Sequence, residues 1–101
     1  MNEDARNITD LDRLIHEPAR LAIMSILFTA EEADFLFLLR EAGLTKGNLS
    51  AHLTRLEVAG YVEIEKTFRG KLPQTICRLT PAGREAFEGY RKQLKSFLAN
   101  I

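Results

Sequence analysis

Gly47, Ser50, Ala51 and Thr54 are small or hydroxyl-bearing residues spaced three, one and three apart, with Asn48 and Arg55 beside them. At 100° per residue they share one side of a helix. Leu49, Leu53 and Leu56, at i, i+4 and i+7, form a narrow apolar stripe on the other side, which would fix that helix to a core. The outward residues suit hydrogen bonding to the edges of bases. Gly47 and Ala51 leave room for close approach, Ser50 and Thr54 can bond base edges or phosphates, and Asn48 can pair with adenine. Thr45 and Lys46 would sit at the helix N-terminus, where the dipole and free N–H groups favour a phosphate. A helix of this design fits the DNA major groove. Asn48 has an equally good local use as a turn-capping side chain.

A second cluster follows at Phe68-Arg69-Gly70-Lys71-Leu72-Pro73, a basic turn with Gly70 where positive φ is easiest. Arg55, Arg69 and Lys71, with Gly70 between the last two, flank the reading face. They are placed for phosphate or minor-groove contact. Net charge is zero, but its distribution is not even. Residues 1–39 hold three basic and eight acidic residues, residues 40–78 seven and four, and residues 79–101 four and two. The basic part covers both clusters, although many of these charges would simply be solvated surface.

Other chemistry finds little support. Catalysis would need an activated nucleophile or a carboxylate pair, and neither pattern occurs, so no enzyme is expected. His52 lies beside the apolar stripe and reads as a partly buried structural histidine. Nothing in the spacing brings His16, His52 and Cys77 together, so neither a metal nor a cofactor is expected. Cys77, the single cysteine, reads as a small core residue rather than a redox sensor. It allows no intrachain disulfide and fits a reducing compartment.

The elements that must hold these clusters can be read from periodicity and caps. Thr9 could cap a first helix over 9–16, with Ile8, Leu11, Leu14 and Ile15 apolar. Pro18 starts a second, running to about Thr29 and so densely apolar that it belongs at the centre of the core. Glu31 to Asp34 make a polar break. Phe35 to Ala42 form a third helix closed by Gly43, and Thr45 caps the fourth, giving a helix-turn-helix over 35–59. After Gly60 the period changes from 3.6 to 2. Tyr61 to Thr67 and Thr75 to Leu79 alternate as two strands around the basic tip, a wing over 61–80. Thr80 caps a last helix, Pro81 opens it, and it runs to about Ala99.

At 101 residues this is one domain, mostly α in an α+β class, with a three-helix core, a two-stranded wing and a long C-terminal helix. Its 46% apolar and 28% charged residues are ordinary for a globular chain. No apolar run is long enough to span a membrane and no signal peptide is evident, so a cytoplasmic setting is expected.

This order of elements resembles the winged helix-turn-helix regulators of the MarR/ArsR kind, most closely their small single-domain members. The resemblance covers nearly the whole chain. It rests on Pro18-Ala19-Arg20-Leu21-Ala22-Ile23, on Leu44 to Leu53, on Leu56 to Val62, on Lys66 to Lys71, and on Leu79-Thr80-Pro81-Ala82-Gly83-Arg84. It implies a dimeric transcription regulator whose fourth helix reads the major groove while the wing touches backbone or minor groove. Two family features do not carry over. Metal sensors of the ArsR type have paired cysteines on a helix, and larger MarR proteins add helices that form a ligand pocket. The effector is left open.

Phe87, Tyr90, Leu94, Phe97 and Ile101 fall at i, i+3, i+7, i+10 and i+14, a heptad seam. With Ile8, Leu11 and Ile15 they predict a homodimer in which residues 81–101 and 9–16 pair about a two-fold axis. Two reading helices one DNA turn apart would then require a palindromic operator. The competing reading is a winged helix that binds other proteins and no DNA. The basic tip argues for DNA. Architectural binding without sequence preference is a third reading, disfavoured by the neutral total charge.

Overall fold

The computed structural model describes residues 9–101. The elements are α1 (Pro18–Ala30), β1 (Glu32–Asp34), α2 (Phe35–Ala42), α3 (Lys46–Val58), β2 (Val62–Arg69), β3 (Leu72–Leu79) and α4 (Pro81–Ala99). The three strands form one antiparallel sheet in the order β1-β3-β2. This is the expected winged helix-turn-helix, mostly helical. No helix among the described residues is long and apolar enough to cross a membrane.

Caps set the helix boundaries. Asp34 accepts from Phe37 N at 2.7 Å to start α2, Thr45 from Asn48 N at 3.2 Å to start α3, and Thr80 from Gly83 N at 2.9 Å to start α4. Gly43, at φ 66, closes α2 in the left-handed region. Leu49, Leu53 and Leu56 of α3 meet Ile23, Met24 and Leu27 of α1, Leu38 of α2, and Val62 and Cys77 of the sheet in one core.

Three local expectations need correction. The polar break over 31–34 contains β1, which pairs Glu32 with Arg78, Ala33 with Cys77 and Asp34 with Ile76. The wing strands are longer than the alternation suggested, and the hairpin turns over Gly70 and Lys71 alone. Pro73 therefore lies inside β3, opposite Phe68. Next to the pair that closes the hairpin, this is a non-hydrogen-bonded position, so the missing N–H breaks no rung of the ladder.

The third correction concerns the helix expected over 9–16. Residues 10–17 form turns and bends. The Asp12 carboxylate captures Leu14 N at 2.9 Å and Ile15 N at 3.2 Å, so local side-chain bonding displaces helical pairing. Pro18 also forces Glu17 into an extended conformation at φ −151.

Leu11 and Ile15 are buried in the chain's own core, as are Phe87 and Tyr90 on α4. These four do not form the dimer seam assigned to them. The first turns of α4 lie across α1, with the Phe28 and Phe87 rings 5.1 Å apart, and this uses their apolar side within the chain. Leu94 also packs against the core, Phe97 is half-buried, and Ile101 is exposed. Ile8 lies outside the described residues.

Candidate nucleic-acid interface

The leucine stripe of α3 is buried, and this turns the rest of the helix outward. Thr45, Lys46, Gly47, Asn48, Ser50, Ala51, Thr54 and Arg55 are all exposed. The cap is made by Thr45, not by Asn48, whose side chain stays free of that local duty. The Thr54 hydroxyl donates to the Ser50 carbonyl at 2.9 Å, so Thr54 offers lone pairs and a methyl group outward rather than a donor.

An arginine that the sequence reading passed over anchors α3. Arg20 is 7% exposed, among the apolar residues of α1. Its Nε donates to the Leu14 carbonyl at 2.5 Å, and its guanidinium donates to His52 Nδ1 at 3.1 Å. Because Arg20 can only donate, His52 must accept at Nδ1 and carry its proton on Nε2, which faces the Glu17 carboxylate at 3.7 Å. Glu17 in turn caps α1 by accepting from Arg20 N at 3.0 Å and from Ala19 N. Burial alone would raise the Glu17 pKa. The two backbone donors, with the nearby His52 and the Arg20 charge, outweigh it and hold the carboxyl below its usual range. His52 is thus the structural histidine expected, tying α3 to the start of α1. The available signal was an arginine two residues after a helix-starting proline.

A parallel set of contacts holds the start of the wing. The Tyr61 hydroxyl donates to Asp12 at 2.5 Å, and His16 Nδ1 lies 2.8 Å from the Tyr90 hydroxyl. The bond to Asp12 first, then burial and the Asp12 charge, pushes the Tyr61 pKa up to about 12. Burial raises that of Tyr90. A raised folded pKa stabilises the protonated form, so this contribution is complete below about pH 10 and is lost as pH rises towards 12. We expect neither of the two tyrosines to ionise near pH 10 in the folded chain, as followed by tyrosinate absorbance. Reversible ionisation of both near pH 10, with native circular dichroism, would contradict the Asp12–Tyr61 contact.

The wing has two chemically distinct parts. On the outer face near the body, Arg78 bonds Glu65 at 3.0 Å, Glu32 at 3.0 and 3.2 Å, and Glu63 at 3.0 Å. The bond to Glu65 and then that to Glu32 raise its pKa most, which locks the charge in place. Arg78 is therefore engaged within the sheet, and the basic character of residues 40–78 lies elsewhere. It lies at the exposed tip, in Arg69 and Lys71, on α3, in Lys46 and Arg55, and in the exposed Arg40 and Lys66. Gly70 at the tip has φ 64. This is the positive first position that a two-residue hairpin turn needs.

The inner face of the wing looks towards α3. A cleft of about 400 Å³ separates them, lined by Ser50, Thr54 and Glu57 on one side and Ile64, Lys66 and Thr75 on the other, with Phe35 and Leu53. Lys66 was absent from the sequence-derived set. Its strand alternation with Ile64 was the signal that could have placed it beside α3.

Cys77 is fully buried. Burial, then the charges of Asp34 and Glu57, push its thiol up to about 11, which suits a core residue and disfavours thiolate chemistry. Among the described residues, no three His, Cys, Asp or Glu side chains converge as metal ligands.

This architecture has known relatives. Residues 19–98 match the family described as the winged helix DNA-binding domain. The Methanocaldococcus jannaschii protein MJ0432 is 33% identical over 89 residues, covering 88% of this chain and 97% of that protein. A transcriptional regulator homologue from Pyrococcus horikoshii superposes with a TM-score of 0.89 at 28% identity, over 98% of this chain and 97% of that one. A MarR-family transcriptional regulator from Silicibacter pomeroyi shares the fold, with a TM-score of 0.69 at 21% identity, over 96% and 64% of the two chains. The chain belongs to the winged helix DNA-binding domain family.

Proposed function

We propose that the chain binds double-stranded DNA in a sequence-specific manner and regulates transcription as a two-fold dimer. In this reading α3 enters the major groove of a palindromic operator and the wing tip lies on backbone and minor groove. One observation carries it: the exposed face of α3 and the inner face of the basic wing border the same cleft. A sugar–phosphate strand between helix and wing would meet Lys66 from one side and the Ser50 and Thr54 face from the other. Gly47, Asn48, Ser50, Ala51 and Thr54 would face the bases. Thr45 and Lys46 at the helix N-terminus, with Arg55, Arg69, Gly70 and Lys71, would meet phosphates or the minor groove.

The dimer is supported by apolar surface at the end of α4. Leu98 is 57% and Ile101 84% exposed, and Phe97 is half-buried. They adjoin a groove of about 890 Å³ between α1 and α4, lined by Leu21, Phe28, Leu94 and Leu98 among others. The same region of a second copy would cover both, and a cytoplasmic setting goes with such a regulator.

Selection from a random duplex library, followed by fluorescence anisotropy across a salt series, tests the proposal. It requires a preferred palindromic sequence, two protomers per duplex and a steep loss of affinity with salt. Equal affinity for every duplex would indicate an architectural protein. No binding even at low salt would leave a protein-interaction module.

A further inference from the structure

The wing tip carries two large apolar side chains that the DNA reading has not used. Phe68 is 69% exposed and Leu72 71% exposed, on the two residues either side of the Arg69 and Gly70-Lys71 tip. Strand register puts them on opposite faces of the ribbon. Phe68 continues the inner series of Ile64 and Lys66, while Leu72 pairs with Arg69 on the outer face that also carries Arg78. The tip is thus a narrow blade, apolar on both faces and cationic at its end.

The minor groove of duplex DNA has the complementary form. Its walls are deoxyribose rings, its rims are phosphates, and Phe and Leu are among the side chains that wedge into it. We infer that Phe68 and Leu72 form an apolar clamp that seats the wing in the minor groove, Phe68 against one sugar wall and Leu72 against the other. Arg69 and Lys71 meet the phosphates at its rims. This rests on the DNA-binding reading above and assigns the two faces of the tip within it. The clamp adds a contact that depends on the shape of the groove and not on salt.

The test uses the full chain and the duplex recovered by selection. The double variant Phe68→Ala, Leu72→Ala should lose roughly tenfold or more in affinity, with the slope of log K against log salt unchanged, because no phosphate contact is removed. The variant Phe68→Leu, Leu72→Met, which keeps apolar bulk, should stay within about threefold of the parent. Both positions are exposed, so thermal melting should be unaltered. Affinity of the alanine variant within twofold of the parent would overturn the clamp while leaving DNA binding intact, and so would a loss accompanied by a reduced salt slope. Failure of the unsubstituted chain to bind any duplex would remove both.

Discussion

Replacing Gly83 with alanine should lower the stability of the chain by about 3 kcal/mol or more, although alanine is the better helix former. A Cβ at this position would lie 2.0 Å from the Tyr61 carbonyl oxygen and 2.8 Å from its carbon. Both are backbone atoms and neither can swing aside. Tyr61 N donates to the Leu56 carbonyl at 2.9 Å, and the Tyr61 carbonyl accepts from Thr80 N at 3.1 Å. The Thr80 hydroxyl donates to the Gly60 carbonyl at 2.5 Å. The segment that ends α3 and the cap that begins α4 therefore hold this peptide from two sides. Relieving the clash would mean moving α4 away from the end of α3.

Gly89 supplies the control on the same helix. Nothing lies within 4 Å of a Cβ built there, so Gly89→Ala should gain up to about 1 kcal/mol from propensity alone. Urea denaturation of the two variants measures the difference. A Gly83→Ala chain as stable as the parent would mean that α4 does not pack against Tyr61 as described.

The same glycine shows why parts of the fold were legible in the sequence and others were not. Caps and punctuation are local, and Gly43, Thr45, Thr80 and Pro81 stand where they begin or end the helices. The leucine stripe of α3 is periodic and buried as read. Features that depend on a distant partner left no such trace. β1 is three residues long with Ala33 its only apolar member, and it is a strand because β3 pairs with it. Asp12 falls inside the helix expected over 9–16, but its carboxylate serves the turn at Leu14 and Ile15 and the hydroxyl of Tyr61.

Period alone also cannot name a neighbour. The heptad spacing on α4 describes a helix packed on something apolar, and for Phe87 and Tyr90 that is the chain's own core. Charge counting has the same weakness. Arg78 counted towards a basic surface, yet three glutamates of the sheet engage it. The outward residues of α3 and the tip residues of the wing were legible, because exposure follows directly from where the apolar stripe must go. Lys66 and Arg20 needed the tertiary arrangement before their positions had meaning.

Removing the two tip cations together, Arg69→Ala with Lys71→Ala, should weaken binding to the selected duplex by about 10- to 100-fold and reduce the salt slope by about 2, roughly 0.9 per phosphate contact. Arg78→Ala deletes the same kind of charge a few residues away and should behave differently. That guanidinium bridges Glu32, Glu63 and Glu65, so its loss leaves three carboxylates clustered across the sheet. The cost should appear in the thermal stability of the wing, with the salt slope near its original value. The comparison matters because formal charge falls in both cases, and only position separates them. Anisotropy titrations at several salt concentrations, paired with melting curves, distinguish the outcomes. If the tip variant kept its slope and lost less than threefold in affinity, the wing would not be lying on DNA. Selectivity should survive in the tip variant: the proposed function gives the base edges to the α3 face from Gly47 to Thr54, so affinity should fall by a similar factor on selected and unselected duplexes. A helix that reads sequence and a charged hairpin that adds affinity predict this separation of effects.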